Sequence, residues 1–324
     1  MIVVTGAGFV GGQIIATLAR DRAVDIIVVD DDLTPAKRAN FAAAPIAAQL
    51  TPVDLLRAAD TDRAFARRVD AVIHMGARTD TWEQDAELVL ASNYGYSTRL
   101  LDWCLRSRIP LVYASSAAVY NGGSSPYARS KLLLDRAVAA ILPTTRSPVI
   151  GLRLVNVYGP GEAHKGRMAS VVFQFFRQLR DTGSVDIYAD PSLGAPGSQR
   201  RDLLHVDDVV ATTLWFVEHG RSGIYDVGTG EPTSFNDLAC LVLAHAGPGT
   251  VRYTPLPAHL RGSYQTYTRA DLGPLRAAGY DGTFRLPRVG VPRYLEHLAA
   301  HEATATEERQ GGVVRLLRCV EQVE

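Results

Sequence analysis

Short apolar runs alternate with longer segments of helical periodicity through the first half of the chain. Four of the runs read IVVT, DIIVVD, AVIHM and PLVYASS, and the helical segments include GGQIIATLAR and YARSKLLLDRAVAAIL. The apolar runs lack the alternation of strands that face water on one side, so we expect them to be buried on both faces. Their alternation with helices predicts a doubly wound α/β domain with a parallel sheet over residues 1–160.

The rhythm becomes less regular after residue 160. A helical segment, MASVVFQFFRQLRD, is followed by a short strand pattern, VDIYAD, and by the proline- and glycine-rich stretch DPSLGAPGSQ. We predict a smaller α/β lobe over residues 161–324, mostly for substrate binding, with the segment at about 203–229 returning to the first domain.

Charge and composition exclude several classes of function. The chain has 324 residues, 47% of them hydrophobic, and its 34 Lys and Arg residues balance its 34 Asp and Glu residues. A net charge of zero gives no overall field that would attract nucleic acid or an anionic membrane. No run reaches ~18 apolar residues and the N-terminus lacks the features of a signal peptide, so we expect a soluble cytoplasmic protein.

The three cysteines, Cys104, Cys240 and Cys319, are far apart and form no CxxC pair. Because Cys104 and Cys240 lie within apolar helical patterns, we expect both to be buried structural thiols, which suits a reducing compartment. We predict no metal site.

A glycine-rich turn lies between the first predicted strand and the first predicted helix. Gly6, Gly8 and Gly11 have the GxGxxG spacing, which permits a tight turn and a close approach of the backbone to a pyrophosphate at the helix N-terminus. The next predicted strand ends in Asp30, ~20 residues after the glycines, where a carboxylate can accept hydrogen bonds from a ribose. This order predicts a Rossmann-type dinucleotide-binding domain, although Asp30 could also act only as a cap or turn residue.

The charged residues that follow Asp30 favour different cofactors. Asp31 and Asp32 would repel the 2′-phosphate of NADP, whereas Lys37 and Arg38 could bind it. We predict a tightly bound nicotinamide dinucleotide, NAD or NADP, and favour NAD.

The strand pattern PLVYASS ends at Ser116 and is followed by SPYARSK, in which Tyr127 and Lys131 are four residues apart. On a helix that spacing places the phenol and the ammonium on one face. A nearby ammonium and a cationic nicotinamide ring favour the phenolate, so Tyr127 could act as a base while Ser116 holds the substrate oxygen and relays its proton. The alternative is that Tyr127 and Lys131 only pack along an amphipathic helix.

Lys165 lies between His164 and Gly166 in the stretch GEAHKGRMAS. A lysine in a glycine-rich loop is usually solvated, and it can also anchor a phosphate. The residues alone leave these two possibilities open beside a role in catalysis.

The glycine turn, Ser116 and the YxxxK pair together resemble the extended short-chain dehydrogenase/reductase family of nucleotide-sugar enzymes, over residues 1 to about 300. Five further segments are similar to the ADP-heptose 6-epimerase branch of that family: IHMGARTDTWEQD, NVYGPGEAHKGRMASVVF, RRDLLHVDDV, SGIYDVGTGEPTSF and RGSYQTYTRADLGPLRAAGYD. HKGxMAS and YQxxTxADLxxLRAAGYD are the most specific of these strings, so the expected substrate rests on them.

The resemblance implies an isomerase that oxidises C6 of the heptose in an ADP-glycero-manno-heptose to a ketone and returns the hydride to the opposite face. The implied catalytic residues are Ser116, Tyr127, Lys131 and Lys165, the last as a second acid/base. The implied cofactor-binding residues are Gly6, Gly8, Phe9, Val10, Gly11, Asp30, Asp31, Lys37, Met75, Gly76, Ala77, Asn93, Tyr127, Lys131 and Val157. The implied substrate-binding residues are Thr79, Asn156, Lys165, Arg167, Gln174, Tyr188, Arg201 and Tyr264. We also expect a homo-oligomer.

The chain departs from the family pattern near the substrate. Its glycine turn is one residue shorter, the loop between Ser116 and Tyr127 is much shorter, and the stretch before Arg201 is longer. Arg167 follows HKG in place of a small serine, and Gln174 stands in place of a histidine. A different sugar or base is therefore an open alternative.

Two other functions remain open. A nucleotide-hexose 4-epimerase of the UDP-glucose type would share the Ser, Tyr and Lys residues but has no reason to carry Lys165. A non-catalytic dinucleotide-binding sensor would keep the glycine turn but tends to lose the Tyr–Lys pair. A 4,6-dehydratase is disfavoured, because that group carries an Asp-Glu pair where this chain has Ala117 and Ala118.

Overall fold

The structure, a computed structural model, describes residues 1–80, 83–260 and 264–320. Its strands in chain order are β1 (Ile2–Thr5), β2 (Ile26–Val29), β3 (Ala48–Leu50), β4 (Ala71–His74), β5 (Leu111–Ser116), β6 (Val149–Leu154), β7 (Asn156–Tyr158), β8 (Ser184–Ala189), β9 (Arg200–Arg201), β10 (Leu203–His205), β11 (Gly223–Val227), β12 (Thr233–Ser234) and β13 (Thr250–Pro255). Its α-helices are α1 (Phe9–Asp21), α2 (Pro35–Ala39), α3 (Pro52–Thr61), α4 (Arg63–Arg68), α5 (Ala86–Val89), α6 (Tyr96–Ser107), α7 (Pro126–Ile141), α8 (Val171–Thr182), α9 (Val206–His219), α10 (Phe235–Ala246), α11 (Gly273–Ala277) and α12 (Pro287–Val320). A π-helix, Leu90–Gly95, joins α5 to α6, and short 3-10 helices cover Ala117–Asn121, Ala163–Met168, Pro191–Leu193 and Ala258–Leu260.

Seven strands form one parallel sheet in the order β3-β2-β1-β4-β5-β6-β11. Strands β1, β2 and β4 are buried along their whole length. Such burial on both faces is the reason that their sequences read as unbroken apolar runs. The predicted doubly wound α/β fold is confirmed.

Different helices cover the two faces of the sheet. On one face Val3 packs in a cluster with Trp103 of α6 and with residues of α7. On the other face Val4 packs with Ile15 of α1 and Val210 of α9. Because the strand order reverses between β1 and β4, the carboxyl ends of these strands border the crevice in which proteins of this topology bind ligands.

The second half of the chain builds a smaller α/β unit. Parallel strands β8 and β13 pair along their length, and α8, α10 and α12 form a cluster with them that includes Phe176, Leu238 and Tyr294. Between these elements, α9 packs on the large sheet and β11 pairs with β6 at its edge. The chain therefore leaves the first unit after β6 and returns to it through α9 and β11, before β12 begins.

The helical segment around residue 168 begins later than its pattern suggests. Ala163–Met168 forms a 3-10 helix with Gly166 at φ 53° and ψ −120°, and α8 begins at Val171. The Ser170 hydroxyl accepts a hydrogen bond from the backbone N–H of Phe173 at 3.2 Å and so caps α8. Residues before Ser170 therefore lie on an irregular turn.

The two helical cysteines differ in burial. Cys104 is buried, but the expectation of a buried Cys240 is wrong, because Cys240 is exposed. The buried stripe of α10 includes Phe235, Leu238 and Val242, and Cys240 lies away from it. The apolar residues on either side of Cys240 hid this orientation in the sequence.

None of the helices in the described parts of the chain combines the length and the hydropathy needed to span a bilayer. Across the same residues, no group of three or more His, Cys, Asp and Glu side chains is arranged to hold a metal ion.

Candidate active site

The turn between β1 and α1 leaves no room for side chains at two of its glycines. Gly6 has φ +80°, and a Cβ atom on it would lie 2.2 Å from the Cα atom of Gly76 in the loop after β4. A Cβ atom on Gly11 would lie 1.9 Å from the carbonyl oxygen of Gly6. Gly6 therefore lets the loops after β1 and β4 approach each other, and Gly11 lets α1 pack closely on the glycine turn, at the crevice where proteins of this topology bind ligands.

The N-terminus of α1 is suited to an anion. Gly8 is its N-cap residue and provides no side-chain cap, so the first N–H groups and the helix dipole can serve a phosphate. The His164 ring lies beside Gly8, with Nε2 3.6 Å from the position of a Cβ atom there. These features fit the pyrophosphate of a dinucleotide.

The Asp30 carboxylate lies after β2 and braces the glycine turn. It accepts hydrogen bonds from the backbone N–H of Ala7 at 2.7 Å and from that of Asp32 at 3.0 Å. Lys37 Nζ lies 3.2 Å from Asp30 Oδ1 and also donates to the Asp32 carbonyl at 2.6 Å. Asp30 therefore has the structural role that the sequence left open, and its contact with a ribose stays a prediction, as does that of the exposed Asp31.

Asn93, on the π-helix, fixes the loop after β4. Its side chain bonds both backbone groups of Arg78, accepting from N–H at 2.7 Å and donating to the carbonyl at 3.0 Å. It also donates to Ser130 Oγ at 3.1 Å, and that hydroxyl donates to the Tyr127 carbonyl at 2.7 Å. Asn93 thus joins the start of α7 to the loop that carries residues 75–77, and direct cofactor contacts of Asn93 and of Met75, Gly76 and Ala77 stay predictions.

The structure brings Ser116, Tyr127 and Lys131 together. Ser116 ends β5, and Tyr127 and Lys131 lie one turn apart on α7. The Ser116 side chain is close enough to the Tyr127 phenol to lower its pKa, and its hydroxyl oxygen accepts a hydrogen bond from the backbone N–H of Ala118 at 3.2 Å. Lys131 Nζ donates to the carbonyl of Ala114 at 2.7 Å. The arrangement can hold a substrate hydroxyl or carbonyl oxygen between a phenol and a serine.

Burial dominates the acid–base behaviour of this group. Burial raises the pKa of Tyr127, and the neighbouring Ser116 side chain acts in the opposite direction. Burial lowers the pKa of Lys131 to about 8, and the charge of Asp135 opposes that shift. A Tyr127 phenolate therefore needs positive charge beyond the lysine, and a nicotinamide ring carries such charge.

Lys165 lies on the irregular turn, beside α1. Its Nζ is 5.6 Å from the centroid of the ring of Phe9, the first residue of that helix. Burial lowers the pKa of Lys165, and the carboxylate of Glu162 opposes that shift. Glu162 is itself buried and accepts a hydrogen bond from the Ser170 hydroxyl at 2.7 Å. The lysine is therefore partly desolvated, in contrast to a lysine on an open loop.

Two of the residues that depart from the family pattern hold the Lys165 turn. Gln174 Nε2 donates to the Gly166 carbonyl at 2.7 Å. Arg167 Nη2 donates to Asp80 Oδ2 at 2.7 Å, which joins the turn to the loop after β4. Contacts of Arg167 and Gln174 with a substrate stay predictions.

Three predicted substrate-binding residues form one cluster. The Arg201 guanidinium carbon lies 5.3 Å from the centroid of the Tyr264 ring, and the Tyr264 and Tyr188 rings meet edge to face with centroids 6.1 Å apart. Arg201 is 7% exposed and donates to the backbone carbonyls of Arg200 and Gln265. The cluster presents a positive, aromatic-lined surface of the kind that suits a nucleoside diphosphate.

The other predicted contacts are more scattered. Asn156 and Val157 lie on β7, where they pair with Leu203 and Leu204 of β10, and Thr79 is exposed in the loop after β4. Among the described residues, no hydrogen bond or ion pair joins Lys165 to Ser116 or Tyr127. The structure therefore shows three separate groups, at the glycine turn, at Tyr127 and at Arg201, and their assembly around one ligand stays a prediction.

Asn40 is a site residue that sequence reasoning missed. Its Nδ2 donates to the carbonyl of Gly8 at 3.3 Å and to that of Gly161 at 3.0 Å. It thus ties the glycine turn to the loop that precedes Lys165. No local pattern marks Asn40, because its two partners are distant in sequence.

The small number of lysines in the chain is itself a sequence signal for the site. The chain contains three lysines, Lys37, Lys131 and Lys165, among its 34 basic residues. Lys37 pairs with Asp30, Lys131 is 3% exposed, and Lys165 is partly buried. All the other Lys and Arg residues of the chain are arginines. Each of the three lysines therefore marks a position at the crevice.

Residues 2–228 match the NAD dependent epimerase/dehydratase family. The chain is 42% identical over 313 residues to the ADP-L-glycero-D-manno-heptose-6-epimerase of Alkalilimnicola ehrlichii, an alignment that covers 92% of this chain and 98% of that protein.

Several solved structures are similar to this chain over most of its length. The crystal structure of the Helicobacter pylori ADP-L-glycero-D-manno-heptose-6-epimerase has a TM-score of 0.79 and 26% identity, and the match covers 92% of this chain and 96% of that one. A UDP-glucose-4-epimerase from Stenotrophomonas maltophila, with bound NAD and formylated UDP-arabinopyranose, has a TM-score of 0.76 at 21% identity over 94% and 99% of the two chains, which shows the shared fold. From the family match and the 42% identical relative, we conclude that the chain belongs to the NAD dependent epimerase/dehydratase family.

Proposed function

We propose that the protein is an isomerase that inverts C6 of the heptose in an ADP-glycero-manno-heptose through a 6-keto intermediate. The placement of Lys165 beside Phe9 carries this proposal, because it puts a second, partly desolvated acid/base group at the cofactor turn in addition to Tyr127. The 42% identity to an ADP-L-glycero-D-manno-heptose-6-epimerase supports the same substrate.

The residues around the glycine turn fit a nicotinamide dinucleotide. The N-terminus of α1 at Gly8 would hold its pyrophosphate, Asp30 its adenosine ribose, and Lys131 its nicotinamide ribose. Bound NAD supplies the hydride acceptor for the oxidation and the hydride donor for the reduction. Because the hydride returns to the same substrate, the reaction has no net redox change and gives no reason to release the cofactor between turnovers.

Tyr127 and Ser116 act in the oxidation. The Tyr127 phenolate takes the proton of the C6 hydroxyl as the C6 hydrogen leaves as a hydride, and the oxygen becomes that of a ketone. Ser116, whose side chain acts on the phenol, holds the same oxygen and relays its proton. Lys131 keeps positive charge on the helix that carries Tyr127, which favours the phenolate once the cofactor adds its own charge.

Lys165 acts in the reduction. Inversion requires the hydride to reach the other face of the ketone, so the carbonyl oxygen must occupy a second orientation. A single phenol cannot readily serve both orientations. Lys165, held on a separate turn and with its pKa lowered by burial, donates the proton to the oxygen in the second one.

The cluster of Arg201, Tyr188 and Tyr264 holds the nucleotide end of the substrate. The planar guanidinium of Arg201 matches phosphate oxygens, and the two tyrosine rings provide apolar faces beside it. In this arrangement residues 161–324, except about 203–229, form the substrate side of the crevice. The sugar then lies between the nucleotide cluster and the Tyr127 group.

Product stereochemistry tests the proposal. The purified protein is incubated separately with each C6 epimer of ADP-heptose and with UDP-glucose, and the sugar is identified by proton NMR. We expect interconversion of the two heptoses, with no deuterium entering C6 in deuterated water because the same hydride returns. Turnover of UDP-glucose without turnover of ADP-heptose would replace the proposal by a hexose 4-epimerase, and turnover of neither would contradict it.

A further inference from the structure

A buried carboxylate lies one helical turn beyond Lys131. Asp135 is on α7 and is 2% exposed. Its Oδ1 accepts a hydrogen bond from the hydroxyl of Tyr113 on β5 at 3.0 Å, and its Oδ2 accepts one from Arg153 Nε on β6 at 2.7 Å. Asp135 is therefore held in one orientation by two strands of the sheet, and the proposed reaction leaves it without a role.

The network continues to the segment that follows Ser116. Arg153 Nη1 donates to the hydroxyl of Tyr120 at 3.1 Å, and that hydroxyl donates to Asp226 Oδ1 on β11 at 2.5 Å. Tyr120 lies on the 3-10 helix that Ser116 begins. The network thus connects Asp135 to the Ser116 segment as well as to three strands.

Lys131 is a buried cation with few charged neighbours. Its Nζ donates to the uncharged carbonyl of Ala114 at 2.7 Å, and no ion pair of Lys131 occurs among the described residues. Asp135 provides the negative charge that opposes the lowering of the Lys131 pKa by burial. On the facing strand β4, burial lowers the pKa of His74 to about 3, so His74 stays neutral above that range. Arg153, which pairs with Asp135 at 2.7 Å, is the other charged group of the cluster.

We propose that Asp135 is a positioning residue for Lys131: held by Tyr113 and Arg153, its fixed carboxylate keeps the Lys131 side chain in its ammonium form behind the Ser116–Tyr127 pair. An i,i+4 carboxylate is close enough to act on the charge of a lysine, and the two strand contacts fix its orientation. The inference rests on the proposed roles of Tyr127 and Lys131 and adds the group on which the lysine depends.

A purely structural role for Asp135 would tie α7 to the sheet without acting on Lys131. The two roles differ in the titration of one amine. Because the chain has three lysines, the ε-methylene carbons of the 13C-lysine-labelled protein as purified give three resonances, and the Lys131 resonance is assigned by its loss in Lys131→Arg. This measurement needs no substrate, so it is independent of whether ADP-heptose is turned over.

The charge at residue 135 is then removed and restored. We expect Asp135→Asn to lower the Lys131 midpoint by about 1 pH unit or more, and Asp135→Glu to return it toward the wild-type value. Asp226→Asn is the matched control, since it removes a second buried carboxylate beside Arg153 but lies off α7, and it should leave the midpoint unchanged. Correspondingly, the alkaline loss of kcat should begin at lower pH in Asp135→Asn, because the ammonium is lost earlier.

Two results would overturn the proposal. The first is a Lys131 midpoint that stays within experimental error in Asp135→Asn, or that moves equally in Asp226→Asn. The second is failure to fold, judged by circular dichroism, of both Asp135→Asn and the smaller Asp135→Ser while Asp226→Asn folds, which would assign Asp135 a structural role. If the wild-type protein turns over no nucleotide sugar, the proposed function fails while the titration result stands.

Discussion

The ammonium group of Lys165 lies over the ring of Phe9, with Nζ 5.6 Å from the ring centroid. The contact joins the loop after β7 to the first residue of α1, so a group proposed to act on the substrate is in contact with the element proposed to bind the cofactor. Burial at this position lowers the pKa of Lys165. Lys165 is therefore not a solvated surface lysine. Experiment must decide whether it acts as an acid/base or as a phosphate anchor.

Replacing Lys165 by methionine separates those two roles. The side chain keeps its length and apolar stem but loses the proton, so we expect kcat to fall ~10²- to 10⁴-fold with binding of substrate and cofactor broadly preserved. Epimerisation is followed by NMR and binding by calorimetry. A phosphate anchor would instead weaken binding and leave turnover largely intact, and a wild-type rate would exclude a catalytic role.

Tyr127→Phe tests the first acid/base group. The ring still packs on α7 while the hydroxyl is lost, so turnover should drop ~10²- to 10⁴-fold and the cofactor content should be nearly unchanged. Tyr253→Phe is the control, because the Tyr253 hydroxyl bonds Asn236 at 3.0 Å on the exposed surface of the second unit. Near-normal turnover of Tyr127→Phe would mean that the Tyr–Lys spacing serves only helix packing.

The protein should retain its cofactor through purification, because an enzyme that returns its hydride has no need to release it. Denaturation and chromatography of the supernatant identify the nucleotide, and we expect NAD to be favoured over NADP. Lys37 is engaged by Asp30, and Arg38 donates to Gln49 at 2.7 Å, so both cations already have protein partners with which a 2′-phosphate would compete. A clear preference for NADP would show that both rearrange, and the absence of any nicotinamide, with no activity on adding it, would contradict the proposed chemistry.

Asn40→Ala should weaken binding of NAD to the cofactor-stripped protein by about tenfold, since two hydrogen bonds worth ~0.5–1.5 kcal/mol each hold the glycine turn to the Gly161 loop. Asn236→Ala is the matched control, because Asn236 also donates from Nδ2 to a loop carbonyl, that of Pro196 at 3.0 Å, but in the second unit. Fluorescence titration gives both affinities. Equal affinities in the two variants would assign Asn40 to local packing alone.

The sheet and the family could be predicted because their signals are local. Strands such as β1 and β4 are buried on both faces, so each reads as an apolar run, and the glycine spacing and the four-residue step from Tyr127 to Lys131 each lie within one turn or helix. The predicted family membership is confirmed by the match over residues 2–228. Short-range patterns were therefore sufficient to predict the fold and the candidate catalytic residues.

Contacts between distant segments could not be predicted in the same way. Asn40 and Gly161 are 121 residues apart and meet only because α2 and the loop after β7 flank the same turn. The network around Asp135 likewise needs β5, β6 and β11 to be neighbours in the sheet. The error at Cys240 has a different origin, since apolar residues surround it on α10 and only the packing decides which of them faces the core.

The placement of the three lysines limits where amine-directed reagents can react with this protein. All three ε-amino groups lie at the candidate site, and the α-amino group of Met1 pairs with Asp70. Random coupling through amines, to a resin, a dye or a cross-linker, therefore has few targets, and those targets lie at the candidate site. A small acylating or aldehyde reagent would report on occupancy of the crevice, and bound nucleotide would be expected to protect the protein from it.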